Sequence, residues 1–155
     1  MKAKQNDEFK KSAEDLFFYS HTFAISLNIP FIDQFPVAKD IELSRWDFFL
    51  TIGCIWVAVI YLHNEVILEC EKEEILEIIR KSILKKYPKG VGALNDCMEF
   101  MNRSISGNDK ILMEDALGYW LVINLYGRKE ISGEERKIIK VLGETVLRAF
   151  KSYWK

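Results

Sequence analysis

Histidine and cysteine are scarce. The 155 residues hold two histidines and three cysteines, a thin stock for metal or nucleophilic chemistry. Cys54, Cys70 and Cys97 are odd in number and no two stand in a Cys-x-x-Cys spacing, which argues against a disulfide framework or a zinc knuckle. Thiols set among apolar neighbours read instead as small buried core groups in a reducing, cytoplasmic protein. Neither His21 nor His63 follows a glutamate by three positions, because Phe18 and Ile60 stand there. The paired Glu-x-x-His signature of a di-iron bundle is therefore missing. There is no Gly-x-Ser-x-Gly, and no cysteine has a histidine as an evident partner. The sequence leads to the expectation of no metal, no cofactor and no catalytic residue.

An excess of charge is also lacking. Lys plus Arg number 22 against 23 Asp plus Glu, for a net charge of −1, so nothing global points to nucleic acid or an anionic membrane. Met1 to Glu8 mixes both signs and no apolar segment follows, so no signal peptide is expected. The longest apolar run, Phe48 to Leu62, has 15 residues, short of the ~20 that span a bilayer. It reads as a central helix buried on every side. No internal repeat or low-complexity tract is present. With 49% hydrophobic and 29% charged residues, the chain has the composition of one globular domain, 1–155.

Periodicity supplies the elements. Phe9, Ala13, Leu16, Phe17, Ser20, Phe23, Ala24 and Leu27 recur at steps of three and four, which predicts a helix over about 6–27 that Asn28 and Pro30 stop. Residues 28–43 contain Pro30 and Pro36 with many apolar side chains, and read as a connection packed over the core. Ser44-Arg-Trp-Asp47 has capping-box spacing before the apolar helix at about 45–62. A long helix follows from Asn64 to Tyr87, then shorter ones over 91–104 and 109–126, the latter closed by Gly127. Ser132-Gly-Glu-Glu135 is a second capping box, opening a last helix to about Tyr153. The β-branched content of 52–60 and the run 121–126 leave strand readings open there. The expected fold is all-α: five to six helices bundled around the apolar one, with the packed loop 28–43.

Three surfaces are candidate sites. Glu65, Glu69, Glu73 and Glu77 stand four apart, fanning by ~40° per step over about 18 Å of one helix flank. Six glutamates and Lys72 occupy 63–77, while Arg80, Lys81, Lys85, Lys86 and Lys89 occupy 78–92 without an acid. This sorting complements the helix dipole and also makes a local negative field suited to a basic partner. Tyr153 and Trp154 are neighbours that diverge by ~100°, so one of them is left to anchor a partner or a second copy. Lys86, Lys89, Gly90 and Gly92 form a basic turn before a helix start, the setting in which backbone N–H groups hold anions. The leading functional expectation is a cytoplasmic helical interaction module, such as an inhibitor or immunity-type protein, that docks a basic protein surface or self-associates. The rival expectation is a small-molecule binder or enzyme with an apolar pocket under 28–43, lined by Phe31, Phe35 and Trp56.

Overall fold

A helix that is apolar all round needs neighbours all round, and the second helix of this protein has them. The computed structural model describes residues 2–39, 41–65, 69–106, 112–127 and 132–153. Those residues form α1 (Lys2–Gln34), α2 (Leu43–Glu65), α3 (Glu69–Lys86), α4 (Gly90–Ser106), α5 (Met113–Tyr126) and α6 (Gly133–Tyr153), with a 3-10 turn at Pro36–Ala38. α2 packs against each of the other five helices, and every residue from Leu50 to Val59 is buried. The chain is thus a helical bundle around an apolar core helix. Both 52–60 and 121–126 are helical, so the strand readings fall. The window Leu43–Ile60 is long and apolar enough, by length and composition, to cross a membrane, but 61% of it is buried inside the protein.

The first helix is longer than its proline suggests. Pro30 removes one N–H bond within α1, yet the helix continues to Gln34. Proline costs about 3 kcal/mol in a helix interior. Here it sits in the last turns with its ring exposed, and the turn after it holds Phe31 in the core. Burial of that ring, against Trp46 at 5.5 Å and Phe35 at 4.8 Å between centroids, offsets the lost bond. The packed connection therefore covers only 35–42 rather than 28–43. It keeps Pro36 as the first residue of its 3-10 turn and buries Ala38 and Ile41.

Local signals succeed at one helix start and fail at another. At α6 the Glu135 N–H donates to Ser132 Oγ at 3.3 Å, and the Ser132 N–H donates to Glu135 Oε1 at 3.4 Å. That is the reciprocal box expected from the sequence, and it accounts for a buried carboxylate, Glu135. At α2 the N–H groups of Arg45 and Trp46 both donate to the Glu42 carbonyl, at 3.0 and 3.1 Å. The helix thus opens before Ser44, and the Ser44–Asp47 pair lies inside it. Gly127 closes α5 with φ of 69° and its N–H on the Ile123 carbonyl, the left-handed cap that glycine permits. The predicted helix 64–87 is two helices: Glu65 ends α2 and Glu69 begins α3.

Polar ties fix the bundle at its edges. Arg45 donates Nε–H to the Asn124 carbonyl at 2.8 Å and lies over the Phe49 ring. It thus places a cation at the negative end of α5. The Trp120 indole N–H donates to Asp96 at 3.0 Å, joining α5 to α4.

Candidate functional site

The long first helix has two unlike faces. Toward α2 and α3 it buries Leu16, Ser20, Ala24 and Phe31. Its outer side exposes Asp15, Phe18, Tyr19, Thr22, Ile25, Ser26, Ile29 and Asp33. Phe18, Ile25 and Ile29 are 65%, 46% and 58% exposed. Their steps of seven and four keep all three within about 20° of one line, over about 17 Å. Scattered exposed apolar residues are ordinary, and Leu43, Leu84 and Leu112 are of that kind. An aligned row is not, because water gains nothing from it and a partner does.

One edge of this row carries a polar cluster built from three helices. Lys86, at the end of α3, places Nζ 2.8 Å from His21 Nε2. An ammonium only donates, so Nε2 accepts and the ring proton sits on Nδ1. From there it faces Thr51 Oγ1 and the Tyr87 hydroxyl, each at 3.3 Å. Thr51 in turn donates to the Asp47 carbonyl within α2. The Tyr87 ring stands edge-on to His21 and to Phe48, at 5.9 and 5.0 Å between centroids. Burial and the Lys86 charge lower the His21 pKa, with Asp47 acting the other way. Burial and Asp47 raise that of Tyr87, and the hydrogen bond with Thr51 opposes them. Both imidazole nitrogens are engaged within the protein, so His21 ties α1 to α2 and α3.

A pH dependence follows. As pH falls below the ordinary 6.5, the unfolded chain protonates at His21 before the folded one. Stability is thus full above that pH and is lost as pH drops toward the lower folded value. Denaturant midpoints measured from about pH 7.5 to about pH 5.5 should fall more steeply for the parent protein than for His21→Gln. Equal slopes would mean that His21 is not the responsible group.

The residues singled out from the sequence are dispersed. Glu73 and Glu77 are exposed on α3, where Glu77 lies 3.8 Å from Arg80. Glu65 belongs to α2 and Glu69 to α3, so the row of four does not share one helix. The side chains of Glu65, Glu69 and Tyr153, and the whole of Trp154, lie outside the described residues. In the basic turn Lys86 is directed to His21, and the Gly90 N–H is spent on the Tyr87 carbonyl at 3.0 Å. A Cβ on Gly90 would come within 2.2 Å of Ile83, so close packing explains that glycine. Lys89 and Gly92 remain exposed. Phe31 and Phe35 pack together beside Trp46, whereas Trp56 is buried on α2 about 15 Å further along. The three do not converge on one pocket. Cys54 and Cys97 are buried, and burial pushes both thiols well up, away from the reactive thiolate. Among the described residues no group of three or more His, Cys, Asp or Glu is placed to hold a metal ion.

Two features escape the sequence reading: the row Phe18, Ile25, Ile29 and the cluster around His21. The row has a signal, since its 7-and-4 spacing lies beside the core stripe. A second signal is the absence of any Lys or Arg between Ser12 and Ala38. Comparison of the chain with protein-family models, with curated proteins and with solved structures returns no match.

Proposed function

We propose that the chain acts by binding another protein, with the outer face of α1 as its docking surface. The observation that carries this reading is the aligned exposure of Phe18, Ile25 and Ile29 on a helix whose opposite side already completes the core. A helix face of this width and length suits helix-on-helix docking. The acidic first half of α3, with Glu73 and Glu77 exposed, favours a partner with a basic surface, as an inhibitor or immunity-type protein would meet. In this reading the face works in a cytoplasmic setting, where Cys54 and Cys97 remain reduced.

A photocrosslinking residue placed at Thr22, within the row, tests it in the native cells. The expected result is an adduct heavier than the 18.2 kDa chain that disappears with Ile25→Asp plus Ile29→Asp. The same probe at exposed Lys137 on α6 should give none. Adducts that form equally from both positions, or that survive the double substitution, refute the surface. An adduct of twice the chain mass identifies self-association instead.

A further inference from the structure

Among the described side chains, the two edges of the α1 row differ in charge, and this restricts what can lie on it. Taking Phe18 as the reference line, Asp15 and Asp33 both project at about +60°, and His21 at about −60°. Asp15 and Asp33 are exposed and about 27 Å apart along the axis. On the opposite edge Lys86 is exposed and seated on His21, at the level of the middle of the row. Between positions 12 and 38 α1 has no lysine or arginine, so Asp33 has no cation near it on its own helix, while Lys11 stands one turn before Asp15.

We infer, resting on the reading above, that the occupant is an amphipathic helix of a different protein. It has an apolar stripe of about three turns, basic residues near both ends of one flank and a carboxylate near the middle of the other. A second copy of this chain fits poorly. In an antiparallel pair about a two-fold axis, like edges meet. Asp15 would lie beside the second copy's Asp33, and Lys86 would oppose the second copy's Lys86. In a parallel pair, Lys86 would be about 9 Å or more along the axis from either aspartate of the second copy, beyond ion-pair contact. A helix with the stated charges satisfies both edges at once, with the apolar stripe supplying the contact and the charges fixing its direction.

Two fluorescently labelled synthetic helices test this with the full chain by anisotropy titration. Both carry leucine at the four positions of the stripe. One has lysines at its ends and a glutamate at the middle, and the other has these charges reversed. The lysine-ended peptide should bind at least about tenfold more tightly, with the difference shrinking as salt rises. Asp15→Lys plus Asp33→Lys should invert the preference. Phe18→Ser plus Ile25→Ser should abolish binding of both, and since these positions are exposed, circular dichroism should be unchanged. Equal binding of the two peptides, or binding of neither, overturns the inference. So does a dimer in sedimentation that Ile25→Ser dissolves. A Thr22 adduct with a foreign protein, found together with equal peptide binding, removes the charge pattern while the docking face stands. Absence of that adduct removes both.

Discussion

Alanine at Gly118 is expected to destabilise the protein by about 3 kcal/mol. The reason is the crossing of α5 and α6. A Cβ built on Gly118 would lie 1.8 Å from the carbonyl oxygen of Ile139, and one on Gly143 would lie 1.8 Å from that of Glu114. Each glycine thus faces the other helix's backbone, and a backbone atom cannot swing aside as a side chain can. Either α6 moves outward, opening gaps around Leu117, Leu142 and Val146, which are fully buried, or the two helices bend. Both routes lose close packing, and the gain of up to about 1 kcal/mol from replacing a helical glycine by alanine is too small to compensate. For a chain of this size the midpoint of thermal unfolding should fall by roughly 6–12 °C. Gly143→Ala should behave alike. Gly92→Ala is the internal control: apart from its chain neighbours and its own helix backbone, nothing lies within 4 Å of the place its added methyl would take, so the same chemical change should be neutral or mildly stabilising. If Gly118→Ala and Gly92→Ala shift the midpoint alike, the close crossing is wrong.

What could be read from the chain beforehand divides by the range of the interaction. The Ser132–Glu135 box and the Gly127 cap need only neighbours within a turn, and both form as the sequence implies. The apolar run at 48–62 announces a core helix because no other arrangement hides it. Signals of equal local strength fail where a distant contact outweighs them. Pro30 reads as a stop, but Phe31 gains Trp46, fifteen positions on, and the helix persists. Ser44 and Asp47 read as a cap, but the Glu42 carbonyl takes the first N–H groups. The meeting of Gly118 with Ile139, and of His21 with Thr51, Lys86 and Tyr87, leaves no periodic trace, since each joins separate helices. The α1 row lies between these cases. Its spacing is visible in the chain, but only the packing of α1 shows which of its apolar lines is left outside.

Trp46 is where the end of α1 is pinned to α2, and Trp46→Ala is expected to cost about 3–5 kcal/mol. The ring is fully buried and packs on Phe31, which in turn packs on Phe35. Truncation leaves a cavity beneath the last turn of α1, just beyond Pro30, where one backbone bond is already missing. Loss should therefore be local as well as global. Amide exchange in 31–41 should speed up more than in α6, which lies outside this ring cluster. The conservative change separates packing from polarity. The Trp46 indole N–H is buried with no hydrogen-bond partner among the described residues, an arrangement that costs roughly 1–3 kcal/mol. Trp46→Phe removes that burden along with part of the ring, and the two effects should nearly cancel. At Trp120 the N–H is satisfied by Asp96, so Trp120→Phe loses ring volume and a charge-assisted bond together. The expected order of destabilisation is Trp46→Ala, then Trp120→Phe, then Trp46→Phe, read from denaturant midpoints. A Trp46→Phe protein as unstable as Trp120→Phe would mean that the Trp46 N–H is satisfied after all, by a buried water. A Trp46→Ala protein within about 1 kcal/mol of the parent would mean that α1 beyond Pro30 contributes little to holding α2.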